Sequence, residues 1–141
     1  MNDNYGTFTG IGVGPGPQEF LTLKSFNALM KADKVLVPRA KGSGKSVALT
    51  CIKDIDIQQD KIEFLDYPMS NDESLLSSIY LEIAAKIIAD LKNKLNLVYI
   101  TIGDPYIYST YSYTVNALKE LRPDILISTY PGISSFQALS S

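Results

Sequence analysis

The 141-residue chain contains no histidine and a single cysteine, Cys51. The absence of histidine excludes every histidine-based catalytic triad, and with only one cysteine it also excludes zinc sites of the Cys/His type. A lone cysteine cannot form an intramolecular disulfide framework. Cys51 is therefore interpreted as a small apolar residue in a reducing compartment.

Excess charge and long apolar runs are also missing. The chain has 13 basic and 15 acidic residues, a net charge of −2, so its electrostatics give no reason to expect nucleic acid or an anionic membrane as a partner. No apolar run approaches the ~20 residues that span a bilayer, and no signal peptide pattern opens the chain. We expect a cytoplasmic protein with no nucleic-acid or membrane partner.

Strand-like and helix-like segments alternate along the chain, which has the length of about one domain. Buried strands are predicted over residues 7–13, 34–38, 61–68, 96–105 and 124–132. Helices are predicted over residues 21–32, 47–55, 71–94 and 108–121, and a further helix starts at residue 133. The alternation predicts an α/β fold with a mainly parallel sheet and helices on both faces.

Three details of these elements can be compared directly with a structure. Pro38 is predicted to end the second strand. The first helix is predicted to carry one apolar face made of Leu21, Phe26, Leu29 and Met30. The long helix is predicted to start at Asn71 or Asp72 and to bury one stripe: Leu76, Ile79, Tyr80, Ile83, Ile87 and Leu91.

The ends of three predicted strands are chemically unusual. Parallel sheets bind ligands at the carboxyl ends of their strands, and residues 12–17, 103–105 and 131–135 are rich in glycine, proline or serine there. The stretch "GIGVGPGPQEF" over 10–20 looks like a dinucleotide fingerprint, but proline or glutamate stands at the last glycine position in every register. Pro15 and Pro17 also lack the N–H groups that hold phosphate, so we interpret the stretch as a tight, uncharged turn.

A second phosphate-loop candidate also fails. The sequence "RAKGSGKS" contains the Gly44-Lys45-Ser46 of a P-loop, yet Arg39 stands where the motif requires its first glycine. A solvated loop is the better interpretation.

Three segments together carry a family resemblance: "GIGVGPGPQEFLTLKSFNALMKADKVLVP", "TIGDPYIYSTYSYT" and "YPGISSFQA". They resemble the tetrapyrrole methylases of cobalamin and sirohaem biosynthesis. Within that family, "GDPYIYSTYSY" is most similar to the members that methylate carbon 20 of precorrin-2 or of its cobalt-containing counterpart.

The resemblance implies two α/β domains with S-adenosylmethionine in the cleft between them. Residues 1–141 would be the N-terminal domain, and the C-terminal domain is absent from this chain, so we expect this polypeptide alone to be inactive. The resemblance also implies a homodimer and a small-molecule tetrapyrrole substrate.

Cofactor contacts follow from matching the family motifs residue by residue. The implied S-adenosylmethionine contacts are Pro15, Ile102, Gly103, Asp104, Ile107, Ser134 and Ser135, with Ser109 and Thr110 in the same region. For Asp104 an alternative stays open, because Asp-Pro after a strand is a common turn.

No catalytic residue and no metal ligand is implied, because an electron-rich carbon can attack the cofactor's methyl group without a protein nucleophile. The basic residues Arg39, Lys41 and Lys45 are candidates for the substrate's carboxylates; the alternative is an ordinary solvated loop. Members that act on uroporphyrinogen carry an acid where this chain has Pro38, which favours carbon 20.

Two further questions stay open. The tyrosines at 106, 108, 111 and 113 are dense enough for a flat aromatic wall, but their spacing places them on different helical faces, so at least half are expected to be packing residues. The alternatives for function are methylation of another precorrin carbon, methylation of a diphthamide precursor on a translation factor, or a non-catalytic fragment.

Overall fold

The computed structural model describes residues 5–13, 21–40, 49, 51–53, 55–68, 70–101 and 110–131. The strands are β1 (Thr7–Gly12), β2 (Lys34–Ala40), β3 (Ile62–Tyr67), β4 (Asn96–Thr101) and β5 (Ile127–Tyr130). The helices are α1 (Leu23–Lys31), α2 (Glu73–Lys92) and α3 (Thr110–Leu121), and a 3₁₀ turn, Gln59–Lys61, precedes β3.

The strands form one sheet in the order β3-β2-β4-β1-β5. Every described pairing is parallel, which confirms the predicted parallel sheet. In the register of the sheet, Gly10 of β1 lies between Tyr99 of β4 and Thr129 of β5. These three residues therefore share one face of the sheet.

Helices cover both faces of the sheet, as predicted. On one face, Phe8, Leu97 and Tyr99 pack against buried residues of α2 and α3. On the other face, Ile11, Val98 and other sheet residues pack against α1 and against the turn at Cys51 and Ile52. Because β4 is buried on both faces, its sequence is apolar without alternation.

Helix α2 begins as the sequence predicts. The Asp72 carboxylate accepts hydrogen bonds from the backbone N–H groups of Ser74 (3.0 Å) and Leu75 (3.3 Å), so Asp72 is the N-cap. The C-terminal part of the predicted stripe, from Ile83 to Leu91, is buried. Its N-terminal part, from Leu76 to Tyr80, is half-buried.

The predicted apolar face of α1 is correct only in part. Leu29 is buried as predicted, and Leu21 is partly buried against the same cluster. Phe26 is 37% exposed and Met30 39% exposed, whereas Ser25, which the prediction did not include, is buried. The helix is oriented so that positions 25 and 29, one turn apart, face the sheet. The prediction included Phe26 and Met30 because they are large and apolar. The face that packs on the sheet is instead marked by the small residue Ser25.

The prediction that Pro38 ends the second strand is also wrong, since β2 continues to Ala40. Pairing of β2 with β4 stops at Leu36, and beyond it β2 pairs only with β3. Proline is tolerated in a strand where one side carries no ladder hydrogen bonds. Of the helix predicted over 47–55, the structure describes residues 49, 51–53 and 55: Leu49 is helical and Cys51–Lys53 form a turn. The helix predicted from 133 lies wholly outside the described residues.

Charged contacts hold the amino edge of the sheet together. Lys34 Nζ lies 3.0 Å from Asp90 Oδ2 and 3.4 Å from Glu63 Oε1. The hydrogen bond with Asp90 raises the pKa of Lys34. Asp33 accepts a hydrogen bond from the backbone N–H of Asn96 at 2.7 Å. These contacts connect β2, β3, β4 and α2 at the edge opposite to the predicted site.

Candidate functional site

The carboxyl ends of β1, β4 and β5 lie side by side. Gly12 is opposite Thr101, and Ile11 is opposite Tyr130. The backbone N–H of Val13 donates to the carbonyl oxygen of Thr101 at 2.8 Å. The described ends of β1, β4 and β5 therefore share one edge of the sheet, as predicted for the strands that precede the three unusual segments.

The helices that follow β1 and β4 lie on opposite faces of the sheet. Helix α1, which follows β1, packs on one face, and α3, which follows β4, packs on the other. Adjacent parallel strands whose connections diverge in this way leave a crevice between them, where α/β sheets bind ligands. The crevice at the carboxyl ends of β1 and β4 is the candidate site.

Most of the predicted site residues lie outside the described residues. These are Pro15, Lys41, Lys45, Ile102, Gly103, Asp104, Ile107, Ser109, Ser134 and Ser135. The described residues that precede or follow their segments are Val13, Thr101, Thr110 and Pro131. The individual contacts of the predicted site residues remain predictions.

Arg39, near the end of β2, is the described member of the predicted basic rim. Its Nε donates to Asp66 Oδ1 at 2.5 Å, and its guanidinium carbon lies 4.1 Å from the centroid of the Phe64 ring. The side chain is one-quarter exposed. Arg39 is therefore held by β3 at the carboxyl edge of the sheet, with a planar fork of N–H donors.

Four hydroxyl-bearing residues form a buried group on the α3 side of the candidate site. We call Tyr67, Tyr99, Thr110 and Thr114 the hydroxyl cluster. The hydroxyl of Tyr67 lies 2.9 Å from that of Tyr99 and 2.8 Å from that of Thr114. The Tyr99 hydroxyl lies 3.1 Å from Thr110 Oγ1, and Thr114 Oγ1 donates to the Thr110 carbonyl at 2.9 Å.

The two phenols of the hydroxyl cluster are held in their neutral form. Burial raises the pKa of Tyr67 well above its ordinary value of 10.0, and burial raises the pKa of Tyr99 as well. At neutral pH both groups are hydrogen-bonding hydroxyls. Because both hydroxyls are buried and hydrogen-bonded, they are suited to a structural role that holds the strands and α3 together.

Tyr111 packs directly on the sheet. Its ring is stacked with that of Phe8 at a centroid distance of 6.3 Å, and its hydroxyl lies 2.5 Å from Thr129 Oγ1 of β5. A β-carbon on Gly10 would overlap the Tyr111 ring and hydroxyl. Tyr113, by contrast, is half exposed and contacts Tyr80. Tyr111 is thus a packing residue, while Tyr106 and Tyr108 lie outside the described residues.

Sequence reasoning missed the hydroxyl cluster. Two signals could have indicated it. Thr110 and Thr114 are one helical turn apart, a spacing that places two hydroxyls on the same face of a helix. Gly10 interrupts a strand, which often marks the close approach of another group.

The part of the chain that the structure describes contains neither a membrane-spanning helix nor a cluster of metal-ligating side chains. None of its helices combines the length and the apolar character that crossing a membrane requires. Within the same residues, no group of three or more Cys, Asp or Glu side chains could hold a metal ion.

Comparison with known protein families identifies the family to which this chain belongs. The profile of the Tetrapyrrole (Corrin/Porphyrin) Methylases matches residues 7–141, nearly the whole chain. The chain therefore belongs to the tetrapyrrole methylase family.

One curated relative within this family is clearly similar in sequence to this chain. The chain is 40% identical over 129 residues to a Methanocaldococcus jannaschii protein named "Probable cobalt-precorrin-2 C(20)-methyltransferase", an alignment that covers 92% of this chain and 54% of that protein. The chain spans about half the length of the curated C(20)-methyltransferases it matches.

Solved structures agree on the fold. A cobalamin synthesis related protein (CobF) from Corynebacterium diphtheriae superimposes with a TM-score of 0.71 at 19% identity, covering 96% of this chain and 57% of that one. A uroporphyrin-III C-methyltransferase from Thermus thermophilus, solved with S-adenosylhomocysteine, superimposes with a TM-score of 0.61 at 20% identity, covering 96% and 48%.

Proposed function

We propose that this chain is the N-terminal domain of an S-adenosylmethionine-dependent methyltransferase that methylates carbon 20 of precorrin-2 or its cobalt-containing counterpart in cobalamin biosynthesis. The observation that carries the proposal is the 40% identity to a relative with that name across 92% of this chain. Since the chain spans about half of that relative, turnover is proposed for the complete gene product.

The candidate site suits the proposed cofactor. Its three strands end in the uncharged residues Gly12, Thr101 and Tyr130. Lys24 of α1 lies with its Nζ 4.4 Å from the centroid of the Tyr130 ring, so positive charge next to these three strand ends comes from α1 and not from the strand ends themselves. A sulfonium cofactor is itself positively charged and is compatible with the uncharged strand ends. The residues proposed to hold it are Pro15, Ile102, Gly103, Asp104, Ile107, Ser134 and Ser135.

When bound, the cofactor supplies an electrophilic methyl group that an electron-rich carbon of the tetrapyrrole can accept directly. The residues of this chain then have to hold two ligands in a reactive arrangement. Such positioning can supply about 7–11 kcal/mol of a barrier. This role requires a rigid crevice and no nucleophilic side chain.

The substrate's carboxylates are proposed to contact Arg39, Lys41 and Lys45. The described support is the position of Arg39 at the carboxyl edge, where Asp66 and Phe64 hold its guanidinium. Arginine binds carboxylates through paired N–H groups, so a held guanidinium is suited to this contact.

Calorimetric titration of the complete gene product with S-adenosylhomocysteine tests the cofactor proposal. We expect micromolar binding, weakened about tenfold by Asp104→Asn through the loss of about 1.4 kcal/mol. The matched control is Asp60→Asn, because Asp60 is exposed in the 3₁₀ turn that leads into the amino end of β3. Absence of binding by the unmodified protein would contradict the proposal.

Analysis of the reaction product tests the substrate proposal separately. Mass spectrometry and NMR of the methylated tetrapyrrole are expected to place the new methyl group on carbon 20. A methyl group on another carbon, or on a diphthamide precursor, would support one of the alternatives instead. The 141-residue chain alone is expected to give no product.

A further inference from the structure

Thr101 and Thr110 are the described residues on either side of segment 102–109, to which most of the proposed cofactor contacts belong. The Thr101 carbonyl accepts the Val13 N–H at 2.8 Å, which joins β4 to the end of β1. Thr110 begins α3. The position of the first turn of α3 relative to the sheet is therefore a described boundary of the proposed cofactor site.

Side-chain hydroxyls hold that first turn on the sheet. Thr110 Oγ1 lies 3.1 Å from the Tyr99 hydroxyl, which reaches it from β4. The next residue, Tyr111, reaches β5 through Thr129 Oγ1 at 2.5 Å. Two consecutive helix residues are thus bonded to two different strands, on either side of β1.

Tyr99 occupies the centre of this arrangement. Its side chain is fully buried, and its hydroxyl also lies 2.9 Å from that of Tyr67 at the end of β3. Tyr67 in turn reaches Thr114, one turn further along α3. A fully buried side chain does not touch a ligand at the surface of the crevice, so any effect of Tyr99 on binding must act through its neighbours.

We propose that Tyr99 is a positioning residue for cofactor binding: its hydroxyl, through Thr110 and Tyr67, holds the start of α3 at the carboxyl edge of the sheet, where the cofactor is proposed to bind. The inference rests on the proposed function. It adds a residue of the sheet interior to a site otherwise assigned to strand-end segments.

Tyr99→Phe in the complete gene product tests the role, because it removes the hydroxyl and keeps the ring. We expect the dissociation constant for S-adenosylhomocysteine to rise about 5- to 10-fold, because the binding-competent position of the first turn of α3 would then be populated only about 10–20% of the time. The control for stability alone is Ile87→Val, which trims a buried side chain of α2 on the same face. It is expected to lower the melting temperature and leave the dissociation constant unchanged.

Hydrogen exchange gives a second readout that needs no ligand. Tyr99→Phe is expected to speed amide exchange in peptides covering 102–112 and to leave peptides of the amino edge unchanged. If Tyr99→Phe does not fold, Thr110→Val is measured against Thr110→Ser, which retains the hydroxyl and is expected to retain the slow exchange.

The outcomes separate the two proposals. Equal binding by the unmodified protein and Tyr99→Phe, with exchange over 102–112 unchanged, would contradict the positioning role alone. For the Thr110 pair, equal exchange in the valine and serine variants would contradict it. If the unmodified protein does not bind S-adenosylhomocysteine, the proposed function fails and this inference fails with it.

Discussion

Gly10 lies inside β1, at a position where the ring of Tyr111 occupies the space that a side chain would need. Glycine weakens a strand, and its presence inside one often marks a close approach of another group. Here that group is the first turn of α3. The identity of residue 10 thus determines how closely α3 approaches the sheet.

Gly10→Ala is expected to lower the free energy of unfolding by about 1–3 kcal/mol, because the new methyl group overlaps Tyr111. Urea denaturation measures the loss. In a Tyr111→Leu background the same substitution should cost clearly less, since the overlapping ring is gone. Equal costs in the two backgrounds would show that Tyr111 is not what excludes a side chain at position 10.

The start of α2 depends on the carboxylate of Asp72, which accepts two backbone N–H groups of the first turn. Asp72→Ala is expected to reduce the free energy of unfolding by about 1 kcal/mol. Asp72→Ser should recover most of that loss, because serine is also a good N-cap. Urea denaturation followed by circular dichroism measures both, and an alanine variant as stable as the original would contradict the capping role.

The hydroxyl cluster makes the contact between α3 and the sheet sensitive to alkaline pH. Because burial raises the pKa of Tyr67 and Tyr99 above 10.0, the folded protein keeps both phenols protonated where the unfolded chain loses its protons. Their contribution to stability is complete below about pH 10 and declines as the pH rises further. Tyr99→Phe should therefore lose less stability than the original between about pH 9 and pH 11. Equal losses in urea denaturation would contradict this interpretation.

The elements that could be predicted from the sequence are those with a local signal. Asp72 and the long apolar stripe of α2 predict its start and its packing, and the uninterrupted apolar run of β4 predicts a strand covered on both faces. The orientation of α1 has no such signal, because the burial of Ser25 depends on how the helix sits on the sheet. The contact between Tyr67 and Tyr99 has no local signal either, because the two residues are 32 positions apart in sequence and are brought together by the strand order.

The outer face of α1 exposes apolar side chains that favour self-association of the protein. Leu23 is 74% exposed, and Phe26 and Met30 follow it at helical spacing on the same side. Exposed apolar groups of this kind favour association. We expect sedimentation velocity to show self-association of this chain.

Charge substitutions locate the surface responsible. Leu23→Glu should reduce self-association, because it places a charge on the outer face of α1. Leu126→Glu is the matched control, since Leu126 is 65% exposed and stands just before β5, outside α1. A clean monomer for the unmodified chain would contradict the expectation.

The proposed function of the protein depends on one crevice, at the carboxyl ends of β1, β4 and β5, as the binding site of the cofactor. A crystal structure of the complete gene product with S-adenosylhomocysteine tests this most directly. The expected result is the ligand at that edge, against residues 102–104 and 134–135. A ligand bound at the amino edge, near Lys34 and Asp90, or on the outer face of α1 would contradict the account.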